Sequence, residues 1–327
     1  MSVRPAPEHV LPADERLAWL ALSWGAELGP AGFARALKVF GSALEALQAE
    51  PSDLVHGEAR LRAEQAATIP FLRENLESFE DDLRDLALHE VAVHFSPDPA
   101  YPRPLRELPH PPPVVCVAGE LVPLDDLAVA VVGTRTPTAA GADLAGDIAR
   151  ALGSEDFTTV SGLARGIDTA AHLGALTADG RTIAVLGSGI LNVQPEENAP
   201  LAARIRRQGA VLSELPPRAQ PTVPNLMARN RLTSILSRAV IVVECRLTGG
   251  SLATAENARH QGREVYAVNW SDGREEHAGN RMLLQEGALP LHGPQDIREL
   301  CLHLRGFRRH TPPPPREQAQ GQLRLFS

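Results

Sequence analysis

The sequence predicts an α/β protein, a doubly wound, mostly parallel sheet of the extended Rossmann-like kind preceded by a small all-α domain. From residue 128 onward, short apolar runs alternate with longer segments of helical periodicity. These runs are apolar throughout, which is typical of strands buried on both faces. The Ala-, Leu-, Glu- and Arg-rich composition of residues 12–90 predicts the helical domain.

Residues 1–90 are predicted to form this first domain, of the SAM-like or helix-hairpin-helix-like kind. Apolar positions recur near helical spacing, and breaks occur at Gly29 and Pro30, at Gly41 and at Pro51. The turns at these breaks resemble those of modules that contact DNA or protein. An acidic helical bundle that only packs on its neighbour is the alternative, and both interpretations stay open.

A second domain is predicted for residues 91–305. It begins with two short strands, 91–95 and 114–119, on either side of a proline-rich connection. The alternation then runs through strands at 128–133, 158–162, 182–189, 210–215, 239–245 and 264–269 and helices at 138–153, 167–178, 197–208, 224–237 and 251–261. Residues 306–327 are predicted to be a flexible, basic, proline-rich tail.

Composition excludes several classes of protein. No stretch approaches the roughly 20 apolar residues of a membrane span, and the N-terminus lacks the apolar segment of a secretory signal, so a cytoplasmic protein is predicted. The three cysteines are far apart, which argues against a disulfide framework or a zinc knuckle. The single lysine, Lys38, lies in neither a phosphate-loop nor a Schiff-base context, so lysine-dependent enzymes are nearly excluded.

The distribution of charge allows a nucleic-acid partner despite a net charge of −8. Residues 1–90 carry 8 basic and 16 acidic side chains, whereas residues 201–250 carry 8 arginines against Glu214 and Glu244. The acidity therefore belongs to the N-terminal part, and a local basic patch is predicted in the second domain.

Four loops that follow predicted strands have a composition suited to an anion. They are rich in Gly, Ser and Thr, and in two of them an arginine, Arg135 or Arg165, is expected to face inward. In an open parallel sheet such loops meet at one edge, where unpaired N–H groups bind ligands. Glycine allows close backbone approach, and arginine pairs with phosphate through two hydrogen bonds. The loops that form this predicted anion cradle are 133–141, 161–168, 187–198 and 244–257.

Asp168 and His172, in SGLARGIDTAAH, stand four residues apart, a spacing that places two side chains on one helical face. A metal pair is one interpretation, but no third ligand is apparent, so neither a metal nor another cofactor is expected. Asp168 at the start of a helix is explained by bonding to free N–H groups. NAD is not expected, because GxGxxG is missing and no acidic residue ends the second strand of the alternation.

A known family carries these motifs in the same order. Between about residues 91 and 295 the chain resembles the DNA-processing protein A family (DprA, also called Smf) in GTRTPTAAG, SGLARGIDTAAH, QPEEN, ARNRLTSILSRAVIVVE and TGGSLATAEN. The N-terminal helices agree with the SAM-like domain of many members. Many members also end in a winged-helix domain, and the residues after 305 are too few to form one, so that domain is expected to be absent.

The resemblance implies a cytoplasmic mediator of homologous recombination and not an enzyme. Such proteins bind and protect incoming single-stranded DNA during natural transformation, load the RecA recombinase on it, and displace or bypass single-strand-binding protein. They act as homodimers, and the candidate surface here is the apolar side of helix 224–237 with the final strands. By similarity the DNA-binding residues are Gly133, Thr134, Arg135, Ser161, Gly162, Leu163, Ala164, Arg165, Gly166, Gly187, Ser188, Gly189, Arg229, Asn230, Arg231, Thr248, Gly249, Gly250 and Ser251.

Two other functions remain as alternatives. The first is an enzyme on a free nucleotide, of the phosphoribohydrolase type with a related fold, because phosphate-binding loops also suit mononucleotides. Glu256 falls near the glutamate of those enzymes, although their PGGxGTxxE motif is missing. The second is a protein-interaction scaffold whose anion pocket no longer binds a ligand.

Overall fold

The computed structural model describes residues 10–306, so the predicted tail lies outside the described residues except for Gly306. The first helices are α1 (Ala13–Leu20), α2 (Pro30–Phe40), α3 (Ala43–Gln48), α4 (Pro51–His56), α5 (Ala63–Glu74) and α6 (Glu77–Leu88). The later helices are α7 (Ala139–Ser154), α8 (Ile167–Thr177), α9 (Ala199–Gln208), α10 (Val223–Ile235), α11 (Gly250–His260), α12 (Ala278–Gln285) and α13 (Ile297–Gly306). None of the helices within residues 10–306 has the length and apolar character needed to cross a bilayer.

The strands of the described residues form one sheet in the order β1-β2-β6-β5-β4-β3-β7-β8-β9. They are β1 (Val91–Phe95), β2 (Val114–Gly119), β3 (Ala128–Val132), β4 (Thr158–Ser161), β5 (Thr182–Val185), β6 (Ala210–Ser213), β7 (Ala239–Val242), β8 (Glu264–Val268) and β9 (Leu289–Leu291). The pairings from β6 through β9 are parallel, and β1 and β2 extend the sheet beyond β6 in antiparallel register. The predicted fold class is confirmed.

Both faces of the sheet are covered by helices because successive side chains of a strand point to opposite faces. On β3, Val129 and Val131 are buried in one core with α7, α8 and α13. The residues between and after them, Ala130 and Val132, are buried in a second core with α10, α11 and α12. This arrangement explains why the predicted strands are apolar without alternation.

A third core joins the N-terminal helices to the sheet. It contains Trp19 and Leu47 from the helices, Phe95 and Val114 from β1 and β2, and residues from α8 and α9. Phe95 is fully buried and its ring lies 6.1 Å from the ring of Trp19. The N-terminal helices therefore pack against the sheet through side chains that both parts contribute.

The predicted dimer surface on α10 is only partly exposed. Leu232, Ile235 and Leu236 are at most 4% exposed and belong to the core beneath the sheet, so these three residues are covered by the chain's own sheet. Met227, on the same helix, is 42% exposed, and Leu289, on the edge strand β9, is 40% exposed. The dimer surface therefore stays a prediction, limited to these accessible parts of α10 and the final strands.

Candidate functional site

The candidate site lies at the carboxyl edge of the sheet, where the winding direction reverses. β3 is flanked by β4 on one side and by β7 on the other, and ligands of open α/β sheets bind at such a switch point. A first cleft of about 380 Å³ lies there, between the loops after β3, β4 and β7 and the side of α10. A second cleft of about 230 Å³ adjoins it, over the ends of β4 and β5. The two adjoining clefts together form a groove.

Arg229, on α10, is a buried cation on the wall that both clefts share. It is 6% exposed, Nη1 donates a hydrogen bond to Val185 O, and Nε has no hydrogen-bond partner among the described residues. Burial lowers the pKa of the guanidinium, and nearby Asp168 raises it. An anion in the groove would supply the hydrogen bonds and counter-charge that the protein itself leaves incomplete.

The guanidinium of Arg229 lies directly against Gly162. A Cβ atom at Gly162 would overlap Nη1, Nη2 and Cζ of Arg229, so only glycine fits here without displacing the arginine. The glycine at position 162 therefore has a specific structural role. Because it has no side chain, it leaves room for the buried guanidinium of Arg229 between the two clefts.

Asp168 supports the loop that carries Gly162. Its Oδ2 accepts hydrogen bonds from the amides of Gly162 at 3.1 Å and Ala164 at 3.3 Å. Burial raises the pKa of the carboxyl group, and Arg229 and the two amides oppose that rise. Leu163, between the two amides, has a φ of 57° and places its side chain in the core next to the N-terminal helices.

His172 does not share a site with Asp168. Its Nδ1 lies 2.7 Å from Thr182 Oγ1, and that hydroxyl donates its proton to Thr159 O, so Nδ1 carries the imidazole proton. Burial, with a smaller contribution from Arg229, lowers the pKa of His172 to about 3. Among the described residues no group of three or more His, Cys, Asp or Glu side chains is arranged to hold a metal ion.

The buried His172 makes the fold sensitive to acid. Its pKa is about 3 in the folded chain and about 6.5 when unfolded, so its contribution is intact above pH 6.5 and lost as the pH falls towards 3. Between pH 7 and pH 5 we expect the free energy of unfolding to fall by about 2 kcal/mol through this residue alone. Urea unfolding of wild type and His172→Gln at both pH values measures this loss.

The control for this experiment is His260→Gln, because His260 is exposed on α11. The loss between pH 7 and pH 5 should persist in this variant and shrink in His172→Gln. An equal loss in both variants and in wild type would assign the acid sensitivity to other groups.

Two buried polar residues that sequence reasoning missed fix the loop after β7. Glu244 is fully buried; its Oε2 accepts a hydrogen bond from Thr138 Oγ1 at 2.7 Å, and its carbonyl accepts one from Thr134 N at 2.8 Å. Asn280 Oδ1 accepts from Cys245 N, and its Nδ2 donates to Val242 O and Val243 O. The sequence feature that could have indicated a buried role for Glu244 is its position as a charged residue at the end of the apolar run AVIVVE.

The exposed cations of the groove differ in how they are paired. Arg135 is exposed and makes no ion pair or side-chain hydrogen bond to a described residue. Arg246 pairs with Glu276 at 3.1 Å, and Arg165 makes two hydrogen bonds of 2.7 Å to Glu197. Arg135 is therefore the exposed groove cation that an incoming anion meets first without displacing a carboxylate.

Comparison with known proteins identifies the family. A family model described as DNA recombination-mediator protein A matches residues 92–301, and a DprA-like N-terminal HHH domain matches residues 13–69. The chain belongs to the DNA recombination-mediator protein A family. Protein Smf of Synechocystis sp. is 36% identical over 299 residues, which cover 85% of this chain and 74% of that protein.

Two other relatives in this family each match 61% of the chain. DNA processing protein DprA of Streptococcus pneumoniae is 41% identical over 202 residues, 61% of this chain and 71% of that protein. Protein Smf of Escherichia coli is 40% identical over 200 residues, 61% of this chain, so the match spans about half, 54%, of that relative.

Two solved structures of the DprA family share the fold. The X-ray structure of DprA from Streptococcus pneumoniae has a TM-score of 0.72 and 30% identity, and the match covers 92% of this chain and 100% of that one. DNA processing protein A from Helicobacter pylori, described for its single-stranded DNA binding mode, has a TM-score of 0.59 and 27% identity, covering 65% and 97%.

Most of the residues predicted from the DprA resemblance line the groove. The first cleft contains Gly133, Thr134, Arg135, Gly162, Ala164, Arg229, Asn230, Thr248, Gly249, Gly250 and Ser251. The second cleft contains Arg165, Gly187 and Ser188 in addition to residues shared with the first.

The remaining predicted residues lie behind the groove. Ser161 is buried and donates to Val131 O, and Gly189 packs against backbone atoms of 216–217. Gly166, with a φ of 77°, packs against the backbone of 134–135. Arg231 points away from both clefts to Glu214, with Nη2 2.6 Å from Oε2. With Leu163 in the core, these five residues shape the loops rather than line the clefts.

The groove also has an apolar rim that the sequence motifs did not indicate. Val223 and Met227, four residues apart on α10, line the first cleft and are 74% and 42% exposed. Leu247, in the loop after β7, is 59% exposed but is not among the lining residues of either cleft. The groove therefore has an arginine and glycine wall, which includes Arg229 of α10, and an apolar rim formed by exposed side chains nearer the start of α10.

Proposed function

We propose that this chain is a recombination mediator that binds single-stranded DNA in the groove. The observation that carries the proposal is the pair Arg135, exposed and unpaired with described residues, and Arg229, buried with incomplete pairing, on the walls of two adjoining clefts. Two clefts in a row suit a chain of phosphates better than one nucleotide. The single-stranded DNA binding described for the Helicobacter pylori relative supports the same ligand.

In this proposal the phosphates lie on the arginine and glycine wall. Arg135 and Arg229 contact them as charged donors, and the loop at Gly162 allows the backbone of the strand to approach closely. Recognition through backbone charge predicts strong salt dependence and little sequence preference.

The bases of the strand lie on the apolar rim, against Val223 and Met227. Every base has a face that an apolar side chain can pack on, which again gives little sequence preference. This placement explains why two apolar side chains are exposed at the mouth of a charged groove.

An abasic oligonucleotide tests the apolar rim. A strand of tetrahydrofuran spacers has the phosphates of oligo(dT) but no bases, so we expect wild type to bind it roughly 10-fold more weakly. In Val223→Ser/Met227→Gln the two ligands should bind alike, as measured by fluorescence anisotropy. Leu88→Ser, an exposed leucine on α6 outside the groove, is the matched control and should keep the difference. If wild type binds oligo(dT) and the abasic strand with equal affinity, the bases do not contact the apolar rim.

We extend the proposal to the role of the family. The protein protects incoming single-stranded DNA, displaces or bypasses single-strand-binding protein, and loads RecA during natural transformation. Residues 91–305 bind the DNA and the helices between residues 13 and 88 pack beside them; a homodimer forms through the exposed edge strand β9. RecA ATPase activity on DNA coated with single-strand-binding protein measures the loading step, and light scattering measures the dimer.

Nucleotide hydrolysis is the alternative with less support. Glu256, the candidate for an enzymatic carboxylate, is exposed on α11 and lies outside the lining of both clefts. Release of free base from nucleoside monophosphates, followed by chromatography, would reinstate it. A protein-interaction scaffold is separated from the proposal by the DNA-binding measurements themselves.

A further inference from the structure

An ion pair covers the arginine of the second cleft. Arg165 Nε and Nη2 each lie 2.7 Å from an oxygen of Glu197, so the carboxylate occupies the Nε–Nη2 edge of the guanidinium, an edge through which a phosphate can form two parallel hydrogen bonds. Both side chains are exposed, at 62% and 55% of their surfaces. The hydrogen bonds raise the pKa of Arg165 and lower the pKa of Glu197.

The neighbouring residue holds Glu197 in place. Asn198 is 6% exposed, and its Nδ2 donates to Leu163 O and to Thr169 Oγ1, both at 2.9 Å. Leu163 belongs to the loop that carries Arg165, and Thr169 lies in the first turn of α8. These bonds tie residues 196–198 to the Arg165 loop, so Glu197 stands beside Arg165 as a consequence of the fold.

The pairing makes the exposed arginines of the groove unequal. Arg135 lines both clefts, and an anion reaches it without displacing any carboxylate of a described residue. To bind the Nε–Nη2 edge of Arg165, which lines the second cleft, an anion must first displace Glu197. Since an exposed ion pair is weak, a phosphate can replace the carboxylate when its local concentration is high. A phosphate on a strand already bound in the first cleft has an effective concentration in the millimolar range.

We propose that Glu197 is a specificity-determining residue, an internal competitor that yields Arg165 only to a strand already held at Arg135 and Arg229. This inference rests on the proposed binding of single-stranded DNA. When the strand leaves the second cleft, Glu197 takes the place of the phosphate on Arg165. Release therefore proceeds stepwise, with the strand still bound at Arg135 and Arg229.

Glu197→Gln tests the proposal, with Glu196→Gln as the matched control. Glu196 is an exposed carboxylate in the same turn that pairs with no described arginine, so both variants remove one charge. We expect Glu197→Gln to bind dT20 three- to tenfold more tightly and to release it more slowly. The affinity for thymidine monophosphate, whose single phosphate can bind Arg135 and Arg229 without Arg165, should stay within twofold of the wild-type value. Glu196→Gln should bind both ligands like wild type.

A double-mutant cycle with Arg165→Ala separates competition from general electrostatics. In the absence of Arg165, the additional Glu197→Gln change should give no gain in affinity for dT20. A gain that persists without Arg165, or an equal gain in Glu196→Gln, overturns the proposal. If wild type fails to bind dT20 at all, it is the proposed function that fails.

Discussion

Arg135→Ala/Arg165→Ala is expected to bind oligo(dT) roughly 10- to 100-fold more weakly than wild type, because two charge-assisted contacts to phosphate are lost. Most of the loss in affinity should come from the Arg135→Ala change. A phosphate binds Arg135 without displacing a carboxylate of a described residue, whereas at Arg165 it has to replace the carboxylate of Glu197. The slope of log affinity against log salt should become shallower by about 1. Anisotropy titrations at two salt concentrations measure both quantities.

The control for this experiment is Arg204→Ala/Arg207→Ala. Both arginines are exposed on α9 and neither lines a cleft, so the variant removes the same charge away from the groove. Its affinity and salt slope should stay within twofold of wild type. If the two double variants behave alike, binding depends on overall charge and the groove is not the site.

Gly162→Ala is expected to abolish most binding of single-stranded DNA with one added methyl group. The new Cβ would overlap the guanidinium of Arg229, so the guanidinium end of that side chain has to move. It then loses Val185 O and its position beside Asp168. We expect the free energy of unfolding to fall by about 1–3 kcal/mol and the affinity for dT20 to fall at least 10-fold. Urea unfolding and anisotropy measure the two effects.

Gly146→Ala is the matched glycine substitution. Gly146 lies inside α7, and the nearest atom to an added Cβ is Ala170 O at 3.7 Å, an ordinary contact. Alanine is the better helix former by roughly 0.5–1 kcal/mol, so this variant should be as stable as wild type or slightly more so and should bind normally. If Gly162→Ala binds dT20 like wild type, DNA binding does not depend on the present position of the Arg229 guanidinium.

The strands and glycine-rich loops could be predicted because their signals are local. Apolar runs such as AVAVV mark strands buried on both faces, and β3 at Ala128–Val132 agrees with that pattern to within a residue. The meeting of the loops at one edge follows from parallel pairing. The antiparallel placement of β1 and β2 beyond β6 depends on pairings distant in sequence, and no local pattern specifies them.

The pairing of the charges could not be predicted for the same reason. Arg165 meets Glu197 32 residues away, and Arg231 meets Glu214 17 residues away. Arg229 and Arg231 are two residues apart in the motif, and a helix turns about 200° over two residues, so only one of them faces the groove. The motif indicated which arginines are present, and only the fold decides which are available to a ligand.

The core that joins the N-terminal helices to the sheet makes the chain hard to divide. Leu163 stands in that core and is the neighbour of Gly162 in the groove loop. Removing residues 1–90 would expose Phe95 and Val114 to solvent and take away part of the packing that holds Leu163 in its left-handed conformation. The helices therefore act on the groove as a mechanical support, whether or not they touch the ligand. An amino-terminal substitution far from the clefts can change binding by loosening this one turn.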